Sequence, residues 1–230
     1  DRALAVQPYW DNRVDSAEKA LDPVNYPGAR AIQGAQVPNV KPQPNPNLIA
    51  GVFPPIGLDD CMIFLPEAPD AMPGPDCTYG DLTAETTIVL AGGSHIEPFI
   101  VPLDKLGKEH HFKVATFVRQ ECPLVVGGPL DPANDIVSPE CAEWGENAMQ
   151  EIINLQPDLL VSTSTRPAGH AGDGRVSADY VPDAYANLWQ RLAELGIPFV
   201  GLRDNPWMFT PSGEPMDPNL CVVAGYSEHA

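Results

Sequence analysis

Four short apolar runs, Thr86–Ala91, Phe112–Val118, Pro157–Ser162 and Pro198–Leu202, are separated by three segments with apolar residues at helical spacing. That alternation constrains the fold more than any other feature of the sequence. The first intervening segment carries Ile96, Phe99, Ile100, Leu103 and Leu106, and the second runs from Trp144 to Leu155 with Ala148, Met149, Ile152 and Ile153 facing inward. The third carries Tyr185, Leu188, Trp189, Leu192 and Leu195, with Gly196 placed to cap its C-terminus. Pro98 suits the first turn of the first helix, and Pro102 is expected to kink it. A β-α-β-α-β-α-β series folds as a parallel sheet with right-handed crossovers and helices on both faces.

Ligands of such sheets bind beyond the C-terminal strand ends. Ser94, the stretch from Ser162 to Arg166, and Asp204 fall at those ends. The first strand breaks into Gly92-Gly93-Ser94-His95 just before helical spacing begins. A strand feeding a glycine turn can expose one serine hydroxyl. The following helix start offers unpaired N–H groups to a developing oxyanion. The plain alternative is an ordinary turn with a serine N-cap.

Composition narrows the partners. With 13 Lys+Arg against 31 Asp+Glu, the formal net charge is −18, and no cationic cluster suited to nucleic acid occurs. Of 27 prolines, 13 precede residue 80, so residues 1–80 are expected to form a proline-rich irregular extension. Asp15–Leu21 could add one or two helical turns, and the Lys41–Pro46 stretch favours polyproline-like backbone. Its aromatic residues, Tyr9, Trp10, Tyr26, Phe53 and Phe64, suggest that it packs on a body formed by residues 81–230.

The five cysteines form no Cys-x-x-Cys pair, and neither a metal site nor a cofactor is expected. Local pairings are available for Cys61 with Cys77 and for Cys122 with Cys141, and these imply an oxidising compartment. Reduced core cysteines are the alternative. Cys221 is left over, either as a free thiol or bonded to polypeptide outside this sequence.

The chain resembles the SGNH hydrolase-like domain fused to bacterial membrane acyltransferases of family 3. The resemblance runs in order through Cys77-Thr78-Tyr79-Gly80-Asp81, Gly92-Gly93-Ser94-His95, Phe99, Pro102-Leu103, Glu121-Cys122-Pro123 and Leu159 to Arg166, then Asp204-Asn205-Pro206 and Pro218-Asn219-Leu220-Cys221. It implies a flavodoxin-like three-layer α/β sandwich, tethered on the extracytoplasmic face of the bacterial membrane. The implied activity is O-acylation, usually O-acetylation, of a cell-envelope glycan or glycolipid, with the acyl group supplied by a membrane domain. By position Ser94 is the implied nucleophile, and its own N–H, with the Gly93–Ser94 turn, the oxyanion site. A secreted carbohydrate esterase of the same fold and a non-catalytic glycan-binding relative are the competing expectations.

Two departures from the family pattern stand out. Gly93 replaces the aspartate of the usual Gly-Asp-Ser-His, which removes a side chain that normally anchors the loop. Such domains also carry base and orienting acid as Asp-x-x-His, and none of His95, His110, His111, His170 and His229 has an aspartate three residues before it. That absence, with Cys221 unpaired, leads to the expectation of a missing C-terminal segment linked through Cys221. His95 reads as structural, since it directly follows the serine. His110 and His111 suit a helix C-terminus, and His170 lies in a glycine-rich loop above the site. Arg166 is a candidate contact to an acyl oxygen or glycan, with a salt bridge as the alternative. Ser162 and Ser164 are candidate hydroxyl donors, and Trp207, Met208 and Phe209 a candidate apolar lining.

Overall fold

The computed structural model describes residues 54–127, 137–167 and 179–205 and, before them, only 24–25, 34, 36 and 38–40. The expected Asp15–Leu21 turns, the Lys41–Pro46 stretch, His170, Trp207, Met208, Phe209, Cys221 and His229 lie outside the described residues. The chain divides into two compact units, Asp1–Leu58 and Asp59–Ala230. Among the described residues of the first lies a short helix, α1 (Pro55–Leu58).

The second unit is an α/β domain. Its strands are β1 (Met62–Ile63), β2 (Thr78–Gly80), β3 (Thr87–Gly92), β4 (Lys113–Arg119), β5 (Leu159–Thr163), β6 (Arg166–Pro167), β7 (Asp179–Tyr180) and β8 (Phe199–Leu202). Between them lie a 3₁₀ turn (Glu97–Phe99) and helices α2 (Ile100–His110), α3 (Pro139–Leu155) and α4 (Asp183–Leu195). The main sheet runs β1-β4-β3-β5-β8, all parallel, and β2 pairs antiparallel with β4. β6 and β7 form a separate two-stranded ribbon.

Each of the four expected strands is present, shifted by a residue or two. β3 and β5 are nearly continuous apolar runs because both sheet faces are covered there, whereas the edge strand β8 leaves Val200 and Gly201 exposed. Val89 and Ala91 face one side, in a core with Trp144, Ala148, Met149 and Ile152 of α3 and with Tyr185, Leu188 and Leu192 of α4. Leu90 alternates to the other face and is equally buried.

The structure differs from expectation at Pro102. The helix starts at Ile100, after the 3₁₀ turn, so Pro102 lies in its first turn. A proline there sacrifices an N–H that has no intrahelical acceptor, so it gives no cause for a kink. α3 also begins earlier than expected. Ser138 caps it, its Oγ accepting from the Cys141 N–H at 3.2 Å, with Pro139 at the first helical position. The sheet-bearing unit begins well before the boundary expected near residue 80, because β1 and β2 both pair with β4.

Two disulfides fasten the sheet. Cys61–Cys77 joins the residues just before β1 and β2, and the Cys77 carbonyl accepts from both the N–H and the hydroxyl of Thr116 on β4, each at 3.1 Å. Cys122–Cys141 ties the segment after β4 to the first turn of α3. Arg119, at the end of β4, is 1% exposed, and its guanidinium donates to the carbonyls of Glu67 (2.7 Å) and Ala68 (3.0 Å).

Candidate active site

The chain order around β3 sets the location of the site. From β3 the chain crosses to β4 on one side, whereas β5 and then β8 lie on the other. The strand order therefore reverses at β3/β5, and the C-terminal ends of two such strands are where parallel sheets bind ligands. Ser94 and His95 follow β3, Ser164 and Thr165 follow β5, and Asp204 follows β8. The structure brings all three chain segments to the same end of the sheet, as the sequence pattern implied.

The serine sits in a tight turn. Gly92 has φ +143°, a conformation that L side chains rarely adopt, and it lets β3 break sharply. The Ile96 N–H then closes onto the Gly93 carbonyl at 3.1 Å, with Ser94 and His95 at the turn's two central positions, both partly exposed. No acceptor for the Ser94 N–H occurs among the described residues. A Cβ on Gly93 would meet the Cys122 backbone carbonyl group at 3.4 Å. The disulfide-tethered segment after β4 is thus the floor of the turn.

His95 is held from the β8 side. Its Nδ1 is 2.7 Å from Oδ1 of Asp204, whose side chain is only 2% exposed. The same oxygen accepts the Asn205 N–H at 2.8 Å, and Asn205 Nδ2 donates to the His95 carbonyl at 3.4 Å. Asp204 is itself placed by the loop after β5, its N–H donating to Thr165 Oγ1 at 3.0 Å. Ser164 stitches the same two strands, its N–H (2.7 Å) and Oγ (3.0 Å) both donating to the Leu202 carbonyl. Ser164 is therefore committed to structure. Ser162 Oγ is buried with no hydrogen-bond partner among the described residues and lies 3.4 Å from the Cβ position of Gly92.

Arg166, at the start of the β6–β7 ribbon, is half-buried, and its charge acts on the Tyr185 hydroxyl. Burial raises the Tyr185 pKa and the Asp204 charge adds to the effect, while Arg166 and a 3.4 Å contact with Thr163 Oγ1 oppose it. Neither alternative expected for Arg166, a substrate contact or a salt bridge, includes this tyrosine.

His110 and His111 lie at the opposite end of the sheet. They end α2, and His111 Nδ1 is 2.9 Å from Oδ2 of Asp81, near the N-terminal end of β3. The full length of β3 separates them from Ser94. Asp81 is lowered to about 2, first by the Thr83 hydroxyl and then by His111.

Sequence reasoning missed the pairing of His95 with Asp204. The sequence carried only a coarse signal: both residues stand two or three places beyond a strand, at the C-terminal edge of one parallel sheet. Among the described residues no group of His, Cys, Asp and Glu is arranged to hold a metal ion, and no helix is long and apolar enough to cross a membrane.

Comparison with protein families matches residues 61–228 to the SGNH domain (fused to AT3 domains). The chain belongs to this family. Membership makes it an esterase- or acyltransferase-like hydrolase domain, and its two disulfides fit an extracytoplasmic setting. Comparison with curated proteins and with solved structures gives no match.

Proposed function

We propose that this SGNH domain transfers an acyl group, an acetyl in the simplest case, to a hydroxyl of a cell-envelope glycan or glycolipid, through an ester on Ser94. The placement of Ser94 carries this reading: a partly exposed serine on a glycine turn, at the strand-order reversal of a parallel sheet, in an SGNH domain. Ser94 Oγ attacks the acyl carbonyl carbon and its proton passes to a base. The resulting oxyanion is met by the Ser94 N–H, with the Gly93–Ser94 turn shaping the pocket. Collapse expels the donor's leaving group. A sugar hydroxyl then attacks the acyl-serine and restores Ser94.

In this reading the acyl group comes from a membrane domain to which the SGNH domain is tethered, on the extracytoplasmic face. Arg166, three residues beyond β5, contacts an acyl oxygen or the glycan.

Ser94→Ala in the intact enzyme is expected to abolish acylation of the envelope glycan, measured by release of acyl groups from purified envelope. Undiminished acylation would refute the mechanism. An acylated glycan offered with water as sole acceptor separates transferase from esterase: a transferase turns it over slowly until an acceptor sugar is added.

A further inference from the structure

Asp204 is a costly residue for its position. Its side chain is 2% exposed, its Oδ1 takes both the His95 imidazole and the Asn205 N–H, and its Oδ2 is buried with no partner among the described residues. A carboxylate taken out of water with one oxygen unpaired weakens the fold unless something else depends on it. Its own N–H is bound to Thr165 on the β5 side, so the carboxylate is aimed by two loops before it meets His95. The residue it holds immediately follows Ser94, and its neighbour Asn205 holds that residue's carbonyl.

We infer that Asp204 is the positioning residue of the nucleophile turn. It fixes His95 as the Nδ1–H tautomer and, with Asn205, clamps the Ser94–His95 segment from the β8 side. The turn is then secured on three sides: by β3 itself, by the Cys122 backbone beneath Gly93, and by Asp204. The clamp performs from outside the turn the anchoring that glycine at position 93 cannot, because a glycine has no side chain with which to hold the loop. This inference rests on Ser94 being the nucleophile only for its kinetic consequence. The tautomer and the clamp stand apart from it.

The test pairs a spectroscopic readout with a kinetic one. Nitrogen-15 NMR of histidine-labelled protein is expected to show His95 as the Nδ1–H tautomer, with Nδ1 carrying the proton shared with Asp204. An Nε2–H tautomer in the wild-type protein would overturn the inference with no appeal to activity. Labelling of the intact enzyme by a fluorophosphonate probe supplies the kinetics. Asp204→Ala is expected to slow labelling ~10- to 100-fold, mainly in the inactivation step rather than in probe affinity, as a misplaced reacting group does.

Asp204→Asn keeps an oxygen for both hydrogen bonds and is expected to recover part of that loss. An asparagine as poor as alanine would overturn positioning through hydrogen bonds, as would Asp204→Ala labelling at the wild-type rate. His95→Gln combined with Asp204→Ala is expected to be no slower than the slower single variant, because both remove one clamp. If Asp204→Ala does not fold, the wild-type tautomer and the asparagine variant still decide. Ser94→Ala separates the two readings. Failure of the wild type to label, or undiminished labelling of Ser94→Ala, refutes the nucleophile assignment and leaves the clamp to be judged by the tautomer.

Discussion

Gly145→Ala inverts an ordinary rule of helix stability. Gly145 lies in the middle of α3, where replacing glycine by alanine usually stabilises a helix by about 1 kcal/mol. Here a Cβ would stand 2.1 Å from the carbonyl oxygen of Val125. The oxygen would have to retreat by at least 0.9 Å (3.0 minus 2.1) to reach even the 3.0 Å below which real Cβ contacts essentially never fall. It has little room to do so. Val125 is 2% exposed between Leu124 at 1% and Val126 at 6%, and Cys122, three residues earlier, is bonded to Cys141 one turn before Gly145 on the same helix.

Overpacking of this kind costs about 1–3 kcal/mol or more, and because the atom that must move is backbone, the upper end applies. After the propensity gain is subtracted, Gly145→Ala is expected to destabilise the domain by ~2 kcal/mol. Urea unfolding followed by circular dichroism under oxidising conditions measures it as a fall in midpoint at unchanged slope. Gly196→Ala provides a contrast. Gly196 caps α4 at φ +69° with nothing within 4 Å of its Cβ position, so its loss of roughly 1–2 kcal/mol comes from left-handed backbone alone. A midpoint for Gly145→Ala at or above wild type would refute the argument, because the contact between α3 and the segment after β4 would then have room to spare.

Removing the Cys122–Cys141 bond by a double Cys→Ala substitution is expected to cost about 3 kcal/mol, the loop entropy for its 19-residue separation, read from the same urea titration. It should also slow labelling of Ser94, whose turn rests on Cys122, and a variant of full stability would contradict the estimate. The Asp81 carboxyl, held down by Thr83 and His111, is expected to titrate near 2 rather than 3.8 by NMR. Because its folded pKa is depressed, its contribution to stability is in place above pH 3.8 and is lost as the pH falls through about 2. A measured value near 3.8 would show the Asp81 contacts to be absent in solution.

The sequence by itself determined the class of fold. Four apolar runs and three helical periodicities leave little beyond a parallel sheet covered on both faces, and strand length and helix spacing are local properties that a single chain displays. It also put Ser94 on a glycine turn at a strand end, and it made the two local cysteine pairings available. The start of α3 was legible too, in Ser138-Pro139, although the apolar periodicity drew attention to Trp144. β1, β2, β6 and β7 were not legible. At two or three residues each they have no periodicity to read, and only pairing with β4 or with each other makes them strands.

Tertiary structure decided what surrounds the serine. His95 and Asp204 are 109 residues apart, and no local pattern says that they touch. They meet because parallel strands β3 and β8 end at the same edge of one sheet, with β5 between them to set the spacing. For Arg166 the sequence offered a substrate contact or a salt bridge, whereas its effect on the buried Tyr185 depends on where the β6–β7 ribbon lies. Covalent and helical order are written along the chain, whereas a site made from the ends of several strands exists only once the sheet has brought those ends together.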